Sequence, residues 1–306
     1  MSPPAAPERR VLGYLEVLAA AFLWGSSGIF TVSLFRLGVP PETIAIVRPV
    51  FGTLLLLAGF ALARPVTLRV SARGLLVLGL GGGAAVGVFQ LAYQSSIDAV
   101  GVPATVAVLY LAPPIVAAAS GPLLGEWPSR GRVALIVLTV AGVWLSVLGA
   151  EEVETTFGTT GLAWGLVCAL TYAAYTLLGR FATPVYGAGR VVLYSTAGAC
   201  AVLALALPVA GAPVPLPPSA EAWLVLLAFG ALTIAGAQFL FFDALGRIDA
   251  SAASVAAAAE PAVAAVLATL LLSQGLEPLG WAGIAMIVVG VAGAGLAARA
   301  PAAPTS

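Results

Sequence analysis

The 306-residue chain contains no histidine and no lysine, only two cysteines, and charged residues at only 8% of its positions. The absence of histidine excludes histidine-based metal sites, catalytic triads and proton relays. We expect neither a metal nor a cofactor. Cys168 and Cys200 fall in apolar runs, where free cysteine packs as a small apolar residue, so we do not expect a disulfide. The chain also lacks a basic tract of the kind that binds nucleic acid.

Apolar residues are abundant instead and make up 61% of the chain. That share excludes intrinsic disorder and argues against an ordinary soluble domain. The apolar runs are long enough to cross the roughly 30 Å hydrocarbon layer as helices of about 20 residues. We therefore predict an all-α integral membrane protein with ten transmembrane helices, at residues 12–34, 42–63, 74–96, 101–123, 131–149, 160–180, 189–210, 221–245, 250–272 and 279–298.

The sequence consists of two similar copies. Residues 13–148 align with residues 161–296 at a constant shift of 148 without a gap, which places Gln90 over Gln238. Each copy holds five predicted helices, and because five is odd the second copy must enter the membrane from the opposite side. Inverted repeats of this kind enclose the central site of many secondary transporters. The predicted organisation is a disordered N-terminal tail (1–11), a first five-helix repeat (12–149), an outside linker (150–159), a second five-helix repeat (160–298) and a disordered C-terminal tail (299–306).

The arginines indicate how the chain is oriented. If the N-terminus is cytoplasmic, every arginine except Arg36 and Arg48 falls on the cytoplasmic side, and the acidic segment 151–154 falls outside. Cytoplasmic loops of membrane proteins carry this excess of positive charge. We therefore expect a multi-pass protein of the cell's inner (plasma) membrane with both termini in the cytoplasm.

Glu260 lies near the middle of the ninth predicted helix. An ionisable side chain at that depth costs about 2.5–3.5 kcal/mol on insertion scales, so it is a candidate for function. It can bind and release a proton during transport or meet a cationic group of a solute; the alternative is a permanently protonated carboxyl bonded to a neighbouring carbonyl. Pro261 follows it, and Pro113 holds the equivalent position in the fourth helix. Each proline removes a backbone hydrogen bond and is expected to kink its helix.

Gln90 and Gln238 are the repeat-related amides of the third and eighth predicted helices. Against lipid their donors and acceptors would be unsatisfied. They either face a central cavity and bind a polar solute, or they bond between helices and hold the bundle together. Neighbours on the same helical faces and buried aromatic residues complete the candidate solute site. That site consists of Gln90, Tyr93, Gln94, Tyr110, Tyr175, Gln238, Phe241, Phe242 and Glu260.

Two other charged residues within predicted spans are candidates for a role. Glu16, about one turn inside the cytoplasmic boundary, is a second candidate for coupling; otherwise it reaches water or pairs with an arginine. Arg48, six residues into the second helix, can attract an anionic solute, but we favour a structural role in which it reaches lipid headgroups or holds a helix end.

A ridge of small residues runs along the third predicted helix, at Gly79, Gly83 and Gly87. Such ridges let helix backbones approach closely. The partner helix can belong to the same chain or to a second copy, so the protein is expected to be a monomer or a homodimer.

Five segments, taken together and in order, resemble the EamA-type members of the drug/metabolite transporter superfamily. They read AAFLWGSSGIF, VRPVFGTLLLL, LAPPIVAAASGPLLGE, AEPAVAAVLATLLLSQ and LGWAGIAMIVVGV, and the resemblance covers about residues 12–298. It implies ten helices in two inverted halves, a cavity lined chiefly by helices 1, 3, 4, 6, 8 and 9, and export of amino acids or related metabolites. The chain departs from the family pattern at Ser273–Gln274, where a Gly-Glu pair is usual; Glu126 keeps the acid in the first copy.

These features predict a secondary transporter and not an enzyme. The expected activity is export of small metabolites such as amino acids, by alternating access around a mid-membrane cavity, with Glu260 coupling transport to protons; uniport is the alternative to coupling. The expected partners are a small-molecule solute and the lipid bilayer. The competing hypothesis is a membrane scaffold that transports nothing or an intramembrane enzyme, which would need a cluster of carboxylates or a nucleophile beside a base.

Overall fold

The computed structural model describes residues 7–63, 68–149, 158–272 and 277–299, and the regular structure in these ranges is helical. The α-helices are α1 (Pro7–Gly25), α2 (Ser27–Arg36), α3 (Pro41–Ala63), α4 (Ala72–Gly74), α5 (Gly83–Leu109), α6 (Ala112–Leu124), α7 (Arg130–Leu148), α8 (Thr159–Tyr186), α9 (Ala188–Val209), α10 (Ala220–Gly230), α11 (Phe239–Leu245), α12 (Ala250–Ala257), α13 (Ala259–Leu272) and α14 (Pro278–Arg299). Two π-helical segments, Leu75–Gly82 and Ala231–Gln238, connect α4 to α5 and α10 to α11.

Nine segments of the described chain are long and apolar enough to cross a membrane. The longest, Ala72–Leu124, has 53 residues and reverses direction within itself. Gly101 has φ +79°, a backbone conformation that residues with a Cβ rarely adopt. The Oγ atoms of Ser96 and Thr105 are 2.9 Å apart, although nine residues of straight helix would rise about 13.5 Å. The segment therefore turns back at Gly101.

Three of these segments are interrupted in their interior. The first breaks between α1 and α2 at Ser26, whose hydroxyl donates to the carbonyl of Leu23 at 2.6 Å. The second break follows Leu109 and the third follows Ala257. Each lies one turn before a proline, Pro113 or Pro261, at which the sequence predicts a kink. These interruptions leave backbone carbonyls without helical partners in the interior of the bundle.

The long helices α7 and α14 occupy equivalent positions in the two copies and pack against each other. A Cβ on Gly142 would lie 3.0 Å from the backbone nitrogen of Ile287, and one on Gly290 would overlap Oγ1 of Thr139. Thr139 of α7 thus contacts Gly290 of α14, and Gly142 contacts Ile287. Because residue numbers rise along one helix as they fall along the other, the helices are antiparallel. The repeat shift of 148 converts each of these contacts into the other, so the interface is self-complementary.

The predicted glycine ridge packs inside the chain, against α9. A Cβ on Gly83 would lie 2.7 Å from the Cα of Gly198, and one on Gly198 would overlap the carbonyl oxygen of Gly79. Gly87 faces the backbone of Ala199. The ridge therefore holds two helices of one chain at backbone contact. Of the two partners expected for it, a helix of the same chain or of a second copy, the structure shows the first.

This contact predicts a stability difference between two glycine positions. Gly198→Ala should lower the free energy of unfolding by about 1–3 kcal/mol, because the added methyl group meets backbone that cannot rotate away. Gly59→Ala is the matched control, since nothing lies within 4 Å of a Cβ at that position of α3. Thermal unfolding of both variants in the same detergent measures the difference. Equal melting temperatures would contradict this packing.

Several sequence expectations lie outside the described residues: parts of the tails (1–6 and 300–306), most of the linker (150–157) and Ser273–Gln274. Two helix ends differ by five residues or more from their predicted positions. α1 begins at Pro7, five residues before the predicted start. α8 continues to Tyr186 and ends at Gly187, where φ is +80°.

Candidate functional site

A cavity lined by polar and aromatic residues lies between helices of the two copies. Its open space is ≈ 30 Å³, and because a water molecule needs about 10–15 Å³ by this measure, the cavity has room for about two waters. A larger solute therefore requires the walls to move apart. The cavity is lined by Trp24, Ser27, Arg48, Val86, Phe89, Gln90, Tyr93, Leu109, Tyr172, Tyr175, Gln238 and Glu260.

Glu260 is held at the break between α12 and α13. The hydroxyl of Tyr110 donates to Oε2 of Glu260 at 2.9 Å and to the carbonyl oxygen of Ala257 at 2.8 Å. That carbonyl lacks its usual helical donor because Pro261 has no N–H. The interruption of one helix thus anchors a tyrosine from the other copy, and the tyrosine fixes the carboxyl group. Glu260 is only 7% exposed.

Arg48 also lines the cavity and is buried, so its side chain does not lie on the outer surface of the bundle. It is 3% exposed, and its Cζ lies 4.1 Å from the ring centroid of Phe229. A desolvated cation–π contact contributes about 2 kcal/mol. Nε and Nη1 are buried without a hydrogen-bond partner, and each unsatisfied donor costs about 1–3 kcal/mol. Phe229 therefore offsets only part of the cost of burying this cation.

The backbone around Arg48 is fixed by a glycine on α10. A Cβ on Gly230 would lie 2.6 Å from the carbonyl oxygen of Arg48 and 3.1 Å from the backbone nitrogen of Gly52. The absence of that Cβ lets α3 and α10 touch. The guanidinium is thus presented from a rigid helix–helix contact.

Two further polar atoms of the wall lack partners. Oε1 of Gln90 and the hydroxyl of Tyr172 are buried and form no hydrogen bond. They stand beside an aromatic group in which the ring of Phe89 lies 5.7 Å from Tyr93 and 5.5 Å from Tyr175. Because buried polar groups are nearly always hydrogen-bonded, a polar occupant is the simplest way to satisfy this wall.

An ionic cluster joins the two copies at the arginine-rich end of the molecule. It consists of Glu16, Glu126, Arg132, Arg180, Asp243, Arg247 and Asp249. In one part, Arg180 Nε and Oε1 of Glu126 are 2.5 Å apart, and Oε2 of the same glutamate accepts the backbone N–H of Ala250 at the start of α12. In the other part, Arg247 pairs with Glu16 at 2.9 Å. Residues of both copies take part in each group.

The two copies seen in the sequence each match the family model of the EamA-like transporter family, over residues 11–148 and 159–296. The chain belongs to the EamA-like transporter family. A solved structure described only as "Crystal structure of protein" superposes on this EamA-like chain with a TM-score of 0.79 at 22% identity, covering 94% of this chain and 97% of that one. That likeness concerns the fold. No curated protein is significantly similar in sequence.

The structure of this EamA-like chain brings five of the predicted solute-site residues together on the cavity wall: Gln90, Tyr93, Tyr175, Gln238 and Glu260. The other four lie behind the wall. Tyr110 supports Glu260, and Gln94 accepts a hydrogen bond from Thr31 at 3.1 Å. Phe241 packs on Trp24 and Phe242 on Tyr175. Glu16, the second coupling candidate, belongs to the ionic cluster.

Sequence reasoning did not place the remaining lining residues in the site: Trp24, Ser27, Arg48, Val86, Phe89, Leu109 and Tyr172. Arg48 is the most informative of them. A cationic side chain six residues inside a span indicates either a solute contact or a structural role. Because the predicted membrane boundary is close enough for a long side chain to reach, the sequence favoured the structural role. Burial over Phe229, an aromatic residue 181 positions later, is a tertiary contact that no local pattern encodes.

Proposed function

We propose that this member of the EamA-like family is a secondary transporter that moves small metabolites such as amino acids by alternating access. The observation that carries the proposal is the cavity itself: repeat-related amides and a buried carboxyl line one small space in the interior of the helical bundle. Buried ionisable groups in membrane helices usually mark substrate or ion pathways. The space is too small for an amino acid, so the walls must move apart before one binds.

The proposed topology has ten crossings in two inverted five-helix repeats. The reversal at Gly101 supports it, because it divides the 53-residue segment into two arms. The antiparallel contact of α7 with α14 also supports it. Two repeat-equivalent helices that pack antiparallel are related by a two-fold axis perpendicular to both, and such an axis lies in the membrane plane.

The proposed direction is export across the inner membrane, with both termini in the cytoplasm and the ionic cluster on the cytoplasmic side. The excess of arginine at that end supports this orientation. Proton exchange through Glu260 is the proposed coupling, because the chain has no histidine and this carboxyl is the acidic group on the cavity wall.

Filling the cavity tests the site. Val86→Phe should abolish solute counterflow in proteoliposomes, because Val86 is 1% exposed and lines the cavity. Leu80→Phe is the matched control: it makes a similar change where the side chain is 61% exposed on the surface of the bundle. The assay loads vesicles with each standard amino acid and follows entry of the labelled one. Saturable counterflow by wild type and the control, but not by Val86→Phe, is the expected result. Equal counterflow by both variants would place the pathway elsewhere.

A further inference from the structure

Two opposite charges line the cavity, and they come from different copies. Arg48 belongs to the first copy and Glu260 to the second, and the repeat shift places Thr196 and Ala112 at the corresponding positions. The amides Gln90 and Gln238, in contrast, match each other. The cavity therefore has a symmetric polar part and an asymmetric charged part, with a positive and a negative group at two distinct places on its wall.

Arg48 and Glu260 do not contact each other directly. No ion pair within 4.0 Å joins Arg48 to Glu260 among the pairs of the described chain, although both line the same space. Glu260 is bound by Tyr110, and Arg48 rests on a neutral ring. Each charge is thus available to a group that enters between them.

The free donors of Arg48 suit one kind of group. A guanidinium is planar and always charged, and its forked N–H groups match the two oxygens of a carboxylate. The buried atoms that lack partners are Nε and Nη1, which belong to the two different edges of the guanidinium, so each edge (Nε with Nη2, and Nη1 with Nη2) has a free donor for a carboxylate oxygen. The side chain is positioned in advance by Phe229 and by the backbone contact with Gly230, so little ordering is needed when an anion binds.

We propose that Arg48 is the anion subsite of this cavity and binds the carboxylate of the transported solute, while Glu260 faces the solute's cationic group. The substrate class is then dipolar solutes, of which α-amino acids are the simplest. This inference rests on the proposed transport function. It gives Arg48 a role in specificity and replaces the structural role that the sequence favoured.

The test compares solutes and variants in one assay. The probes are the standard α-amino acids, and for each one that wild type transports, its decarboxylated amine and its deaminated acid. Arg48→Gln should raise the half-saturating concentration of the amino acid by about 10- to 100-fold, the range for a charged hydrogen bond. The half-saturating concentration of the amine should stay nearly unchanged. Arg48→Lys should fall between wild type and Arg48→Gln. Arg36→Gln, which removes an exposed arginine at the end of α2, is the matched control and should behave as wild type.

Wild type provides a test that needs no folded variant. For wild type, the half-saturating concentration of the amine should be about 10- to 100-fold higher than that of the amino acid. The reason is that removing the carboxylate from the solute deletes the same interaction as removing the guanidinium from the protein. If the amine and the amino acid are transported equally well, or if Arg48→Gln weakens both to the same extent, the anion subsite is wrong and the transporter stands. If wild type moves none of the amino acids, amines or acids, the proposed function itself fails.

Discussion

Glu260→Gln is expected to abolish solute accumulation driven by a pH gradient and to preserve counterflow at saturating solute concentrations. Glutamine keeps the size of the side chain and an oxygen that can accept from Tyr110, but it carries no exchangeable proton. For one-to-one proton exchange, a gradient of one pH unit supports a solute ratio of about ten, equivalent to about 1.4 kcal/mol. In the variant this ratio should fall to about one, while exchange of labelled for unlabelled solute continues.

The experiment uses proteoliposomes with an acid interior and the best amino acid of the counterflow panel. Glu277→Gln is the matched control, because Glu277 is exposed at the end of the molecule opposite to the ionic cluster and precedes α14. If Glu260→Gln still accumulates solute under the gradient, this carboxyl does not carry the coupled proton. If wild type itself shows no accumulation but does show counterflow, the protein is a uniporter.

Arg180→Gln is expected to open the arginine-rich end. Arg180 bonds Glu126 and also donates to the carbonyl oxygen of Leu245 at 2.8 Å. Its loss leaves Glu126 without its cation while that glutamate still accepts the N–H of Ala250. Because a hydrogen bond to a charged group contributes about 1.5–3 kcal/mol, the equilibrium between closed and open forms should shift by about 10- to 100-fold.

Hydrogen exchange of the first amides of α12 measures this opening directly. In Arg180→Gln the exchange of residues 250–254 should accelerate by about 10- to 100-fold, since local opening limits exchange of bonded amides. Arg73→Gln removes an exposed arginine of α4 and is the matched control. Identical exchange in the two variants would mean that the ionic cluster does not hold this end closed.

The cluster also distinguishes the two ends of the molecule. If the repeats are inverted, repeat-equivalent residues lie at opposite ends, and the seven charged residues of the cluster correspond to uncharged ones at the other end. The corresponding residues are Trp164, Gln274, Gly280, Val32, Ser95, Ala99 and Gly101. The two copies are thus joined by ion pairs at one end, whereas at the other end they are joined by contacts such as the hydrogen bond from Ser96 to the carbonyl oxygen of Gly161. The substitution at position 180 should therefore affect only one end.

The sequence predicts the helices well where local chemistry marks their ends. α7 was expected at 131–149 and runs from Arg130 to Leu148, because Ser129 caps its first turn by accepting the N–H of Arg132. The sequence predicts that α8 ends at residue 180, because an arginine at the end of an apolar run indicates the membrane boundary. It continues because Arg180 pairs with Glu126 inside the ionic cluster, and that partner is distant in sequence.

The site was predictable only in part, for the same reason. Repeat symmetry and the cost of burial single out Gln90, Gln238 and Glu260 from the sequence, and the structure brings them to one cavity. The support of Glu260 by Tyr110 joins residues 150 positions apart, and the two π-helical segments have no sequence pattern of their own. Such features depend on how helices pack, which hydrophobic periodicity does not specify.

The most direct test of the account asks whether the cavity opens alternately to the two sides of the membrane. In a chain with Cys168 and Cys200 replaced by alanine, Ser27→Cys places one thiol on the cavity wall. A membrane-impermeant thiol reagent is applied to right-side-out and to inside-out vesicles. Alternating access predicts labelling from both sides, and a transported solute should slow labelling from each side. Arg180→Gln should raise the labelling rate only from the cytoplasmic side. Labelling from one side alone under every condition, or no protection by any solute, would contradict it.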